Sequence, residues 1–142
     1  MGQTRWLLPT IPVPLETIAV NALSLKQPWA ELVVSGKKTI ETRSWNTSFR
    51  GEFLIHASGN PNPSACAYFH FQNLPAKCIV GKATLVSVKK YETKQQWDAD
   101  KHLHLALSDW DGKPRYGFLL TNAQRLPLKP CNGMLNFFEV ER

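Results

Sequence analysis

The sequence predicts a mainly β domain of the α+β class, rolled into a small barrel with a helix after its first strand and a few short helices. Three observations carry that expectation. Strand-like runs recur at short spacing, the helical patterns between them are all short, and the longest β-rich run, "KCIVGKATLVSVKKY", lies near the middle. No internal repeat, low-complexity tract or linker divides the chain, so residues 21–142 read as one domain behind an N-terminal arm over 1–20.

The arm, "MGQTRWLLPTIPVPLETIAV", holds an apolar stretch that three prolines and Glu16 interrupt, which favours the arm of a cytoplasmic protein over a secretion signal. "NALSLKQ" (21–27) then alternates Leu23 and Leu25 with polar neighbours, as a strand does. "PWAELVVSG" reads as a helix. Pro28 suits its first turn, and Trp29, Leu32 and Val33 form an apolar stripe at helical spacing. Gly36 is placed to stop it in a left-handed conformation.

"KTIETRSW" and "GEFLIHAS" (51–58) are the next strands. In the first, Thr39, Glu41 and Arg43 share one face and Ile40 the other; in the second, Phe53 and Ile55 oppose Leu54 and His56. Residues 59–76 begin as a loop and hold one short helix around 64–71. The strand over 77–91 crosses the domain centre, with a bend at Gly81. "ETKQQWDADKHLHLALSDWDG" reads as helix then loop, "RYGFLLTNAQRL" (115–126) as a strand ending in a turn, and 135–141 as the last strand.

Composition narrows the function classes. Hydrophobic residues make up 43% and charged residues 20% of the 142, which suits a folded core. No apolar run approaches the roughly 20 residues that span a bilayer, so no membrane partner is expected. Cys66, Cys78 and Cys131 are odd in number and widely spaced, as reduced thiols are. His102 and His104 in "HLH" would share one side of a strand, but no third ligand lies near, so neither a metal nor a cofactor is expected. Seventeen Lys and Arg against eleven Asp and Glu give net +6, spread along the chain. Folding must assemble any positive surface, and the partner that suits one is a polyanion such as nucleic acid. Charge alone leaves simple solubility equally open.

The stretch "SGKKTIETRSW" concentrates the chemistry. Glu41 and Arg43 lie about 7 Å apart on one strand face, and Lys38, at the strand entrance, is free to turn toward them. A glutamate between two cations stays ionised and fixes them, while the cations supply anion binding.

"LSLKQPWAELVVSGKKTIETRSW" resembles the opening of the ASCH family, in the PUA-like superfamily of RNA-associated β-barrels. Its signature, G-x-K-x-x-E-x-R, is matched by Gly36, Lys38, Glu41 and Arg43. The resemblance continues through "GEFLIHAS" and resumes at "YGFLL" and "PCNGMLNFFEV"; residues 1–20 and a 92–112 insert lie outside it. It implies a cleft beside the first helix, lined by the signature residues and holding RNA or a nucleotide-like ligand. One branch resembles an amidohydrolase acting on N4-acetylcytidine, and another comprises small ribonucleases.

The amidohydrolase branch relies on the signature lysine, a threonine three residues later and a glutamate on the central strand. Here Glu41 stands at the threonine position, and "CIVGKATLVSV" holds no carboxylate. Lys38 and Glu41 would form a catalytic pair only if burial lowered the lysine pKa toward neutrality. Binding is therefore the expected function, with a modified-nucleoside hydrolase or ribonuclease, or a protein-interaction module, as alternatives. Lys26, Lys38, Arg43 and Arg115 are candidate phosphate contacts, and Trp29, Trp45 and Tyr116 candidate stacking platforms. Trp29 leans toward the core, being on the helix's apolar stripe. Gly117 would let a ligand approach the backbone, and His56 and Ser58 would border the cleft. Without an acid, those last two make a poor triad.

Overall fold

The computed structural model describes residues 19–141. The elements run β1 (Ala19–Leu25), α1 (Trp29–Val34), β2 (Ile40–Arg43), β3 (Gly51–Ala57), α2 (Pro63–Tyr68), β4 (Cys78–Tyr91), α3 (Lys94–Ala99), α4 (Lys101–His104), β5 (Arg115–Pro130) and β6 (Phe137–Glu141). Strand outweighs helix, 43% against 18%, so the mainly β expectation holds. One sheet carries all six strands of the described residues in the order β2-β5-β4-β3-β1-β6. β1 runs parallel to β3; every other neighbouring pair is antiparallel.

The sheet curls into a half-barrel, and the register shows why. The β4–β5 ladder shifts between Ile79 and Gly81, Lys82 and Thr84, and Leu85 and Ser87, and each irregularity adds twist and bend. Gly81 sits in this bent zone. A side chain there would collide with the Gln124 carbonyl oxygen and meet Val34 at 2.7 Å, so glycine lets α1 press onto the sheet. The edge strands β2 and β6 do not pair, and aromatic rings join them. Trp45, just past β2, packs edge-on against Phe118 of β5 at 5.3 Å and Phe137 of β6 at 6.1 Å.

Inside the curl, Leu23, Leu25, Phe53, Ile55, Leu85 and Phe118 are buried with the inner face of α1. Each fully buried side chain of this kind is worth roughly 1.5–3 kcal/mol. The helix stops where the sequence predicts. Gly36 adopts φ +84°, its N–H reaches the Val33 carbonyl at 3.0 Å, and the Lys38 N–H reaches the Leu32 carbonyl at 2.9 Å. The chain thereby reverses and delivers Lys38 to the entrance of β2.

Several boundaries differ from the sequence reading. Pro28 caps α1 and is not its first helical residue. β1 starts at Ala19, because Ala19 pairs with Glu141 of β6, and the rest of the arm lies outside the described residues. β5 continues to Pro130, past the turn expected after 126. β2 pairs only with residues 116–119 of β5, so beyond that point β4 alone among the described residues flanks the strand, and prolines are tolerated. The 92–112 insert holds two short helices, the first opened by a capping box between Thr93 and Gln96. "HLH" is therefore helical, which sends its two rings apart: His104 is buried and His102 exposed. Among the described residues no helix is long and apolar enough to cross a membrane, and no group of three metal-ligating side chains forms.

Candidate functional site

The signature residues form a continuous polar chain at the mouth of the curl. Lys38 is only 3% exposed. Its Nζ donates to the Ile40 carbonyl at 2.7 Å and to the His104 carbonyl, and it lies 3.3 Å from Glu41 Oε1. An ammonium has three N–H groups, and here three acceptors surround it. The His104 carbonyl is available because it stands at the last residue of α4, where helical carbonyls lack an intrahelical partner.

Glu41 turns its other oxygen to Arg43. Oε2 accepts from Arg43 Nε at 2.9 Å and lies 2.8 Å from Nη2, which also donates to the Ser24 carbonyl at 2.8 Å. Two sides of the guanidinium fork are thus fixed by β1 and β2. Among the described residues, Nη1 has no partner.

Burial pushes the Lys38 pKa below its ordinary value, with the Glu41 charge opposing it. For Glu41 burial acts upward, but Arg43 and Lys38 outweigh it and hold the carboxyl below its ordinary value. The three-acceptor cage fits the ammonium form, since a neutral amine would turn its lone pair toward one of the oxygens.

Beside this chain opens a cleft of about 750 Å³, within the size range of small-molecule sites. It brings together Lys26, Trp29, Lys38, Glu41, Arg43, Trp45 and Ser58. Trp29 is a wall of the cleft and not the core residue its stripe suggests. It is half-buried, and its indole N–H bonds to the Leu105 carbonyl at 3.2 Å, which fixes the ring at the helix margin. Trp45 is wall and core contact at once.

Four expected residues lie elsewhere. His56 is buried behind Ser24 and bonded at both ring nitrogens. Arg115 is paired with Asp111 at 2.6 Å. Tyr116 faces a separate shallow depression with Asn46, Arg50 and Lys90. Gly117 is filled by neighbours: a side chain there would meet the Tyr91 ring at 2.7 Å and Ile40 at 2.9 Å. Its missing side chain makes room for core packing, not for a ligand.

The cleft also has walls that the sequence reading missed. Residues 106–108 come from the insert and 134–136 from the turn before β6. Ser24, set between two core leucines, reads in sequence as a solvated position. The His104 contribution is a backbone oxygen, which no side-chain pattern announces.

A curled β half-barrel with a helix behind its first strand and a Lys–Glu–Arg chain at its mouth defines a PUA-like domain. The chain belongs to the ASCH domain family, whose sequence pattern matches residues 23–126. It is 52% identical to Activating signal cointegrator 1 of Mus musculus over 134 residues, 84% of this chain and 22% of that protein. To the Homo sapiens protein of the same name it is 50% identical over 90 residues, 53% of this chain and 16% of that one. The chain therefore spans under a quarter of the length of these curated relatives. Among solved structures, ASCH from Zymomonas mobilis superposes with a TM-score of 0.60 at 20% identity, covering 78% of this chain and 72% of that one. A serine-to-alanine mutant of the same Zymomonas mobilis protein gives 0.59 at 21%, covering 83% and 77%. At such identity the likeness speaks to the fold alone.

Proposed function

We propose that the cleft binds RNA or a nucleotide-like ligand, with Arg43 as its anion-binding group and Trp29 and Trp45 as aromatic walls. One observation carries this reading: Arg43 is held through Nε and Nη2 while Nη1 has no partner among the described residues. A fork already oriented in this way loses little freedom when it takes a phosphate. Lys26 adds an exposed charge at the rim. Stacking of a base on an indole contributes roughly 1–3 kcal/mol and tolerates sequence variation.

In this reading Lys38 and Glu41 position Arg43 and do no proton transfer. A general base needs an accessible lone pair, whereas Lys38 Nζ is buried, bonded to two backbone carbonyls and 3.3 Å from Glu41 Oε1. An N4-acetylcytidine amidohydrolase built on these residues would also need a carboxylate on β4, which has none. A second reading, docking of a protein partner, is favoured by Met134 and Leu135 at the rim, 67% and 90% exposed.

Fluorescence anisotropy with single-stranded RNA across a salt series tests the proposal. Binding should weaken with a log–log slope near −0.7 per phosphate neutralised, and Arg43→Ala should make the slope shallower by about one contact. Absence of RNA binding at low salt would overturn it.

A further inference from the structure

Ser24 and His56 are partners in the parallel β1–β3 ladder, which stands their side chains next to each other on one face of the sheet. His56 is 1% exposed. Its Nε2 lies 2.8 Å from the Cys131 carbonyl oxygen, and its Nδ1 lies 2.9 Å from Ser24 Oγ. A carbonyl only accepts, so Nε2 carries the proton and Nδ1 presents its lone pair. The Ser24 hydroxyl therefore donates to Nδ1, which is the arrangement of a nucleophile and its general base.

The surroundings hold this pair in place. A side chain at Gly133 would lie 2.7 Å from His56 Cε1 and 3.0 Å from Ser24 Oγ, so glycine lets the 131–136 turn close over the two residues. Ser24 itself is half-buried and lines the cleft. Its carbonyl receives Arg43 Nη2 at 2.8 Å, which ties the partly free guanidinium to the backbone of the same residue.

We propose that Ser24 is a nucleophile activated by His56, and that the cleft hydrolyses carboxylic esters carried on a nucleotide-like ligand. The choice of ligand rests on the binding reading above; the reactivity of Ser24 does not. Ser24 Oγ bonds to the ester carbonyl carbon as its proton passes to His56 Nδ1, and the carbonyl electron pair moves onto oxygen. Arg43 supplies positive charge for that oxyanion. Collapse breaks the bond to the alcohol, which leaves with the proton from His56, and Ser24 is acylated. Water then adds to the acyl carbon, giving a proton to His56. A second collapse frees the carboxylic acid and returns that proton to Ser24 Oγ. The sum is ester plus water to acid plus alcohol. Esters suit the site better than amides, because a backbone carbonyl and not a carboxylate orients His56 and so stabilises the imidazolium less.

The test is a fluorophosphonate probe, which phosphonylates activated serines with loss of fluoride, followed by peptide mass spectrometry of the whole chain. The expected result is an adduct on Ser24, formed roughly 100-fold more slowly in His56→Asn and suppressed by saturating AMP. No adduct, or an adduct on another serine, overturns the proposal, as does Ser24 labelling at an unchanged rate in His56→Asn. If that buried variant does not fold, Ser24→Cys decides the same point. Its new thiol should react with iodoacetamide faster than Cys66, Cys78 and Cys131 in the same digest, and equal or slower reaction overturns activation by His56. Labelling that AMP leaves untouched overturns the nucleotide-borne ester. RNA binding without any Ser24 adduct overturns this proposal alone and leaves the binding reading standing.

Discussion

Lys38 and Glu41 meet 3.3 Å apart as a buried ion pair, and each is committed a second time, Lys38 to two backbone carbonyls and Glu41 to Arg43. The pair therefore ties the insert, β2 and the arginine fork into one unit. Lys38→Ala should strip a buried carboxylate of one cation and leave two carbonyls without their donor. Removing one partner of a buried pair costs about 3–5 kcal/mol. Urea unfolding of Lys38→Ala should show a loss of that size, and a loss below about 1 kcal/mol, the value of an exposed pair, would contradict the burial.

Acid should destabilise the fold in two windows. His104 is buried, and burial holds its pKa below the ordinary value. As pH falls below about 6.5, the unfolded chain takes up a proton that folded His104 resists, so stability declines. Glu41 and Asp100 are also held low: burial acts upward on each, but Arg43 and Lys38 outweigh it for Glu41, and Lys89 and Tyr91 for Asp100. Their contribution is fully present above the ordinary carboxylate range, near pH 4, and disappears as pH falls through their folded values. Thermal unfolding from neutral to acid pH should show both steps, and His104→Gln should flatten only the upper one. A stability profile that is level down to the carboxylate range would contradict the burial of a neutral His104.

Gly117 offers a check on the assignment of space near the site. Gly117→Ala puts a methyl against the Tyr91 ring and Ile40, and overpacking of this kind costs about 1–3 kcal/mol. Equilibrium unfolding should register that loss while RNA affinity, measured on the folded variant, stays unchanged. Lost affinity without lost stability would mean that a ligand, and not the core, uses the gap.

Much of the site is legible in the sequence because it is local. Gly36 stops a short helix, the strand alternation puts Glu41 and Arg43 on one face, and Lys38 needs only a turn of the chain to join them. What cannot be read comes from distant segments or from the backbone. Ser24 and His56 are thirty-two residues apart and meet because β1 and β3 pair in parallel, a strand order that no local pattern encodes. The His104 carbonyl reaches Lys38 from the insert as a main-chain oxygen. Trp29 obeys the helical stripe yet stands at its margin, where the same periodicity serves either core or cleft. The prolines of the long β5 mimic a turn in sequence, and only the pairing shows that past residue 119 one of its edges has no partner strand among the described residues.

In the proposed binding mode, the arm of Arg43 that has no partner among the described residues and the two indoles receive the ligand together. Proton–nitrogen correlation spectra recorded while single-stranded RNA is titrated into the protein test this most directly, because Arg43 Nε–H and the Trp29 and Trp45 indole N–H groups each give a separate signal. All three signals should move in step and saturate at one RNA concentration, while the Arg115 side-chain signal stays still. Movement of Arg115 with the signals of Arg43, Trp29 and Trp45 unchanged would contradict it.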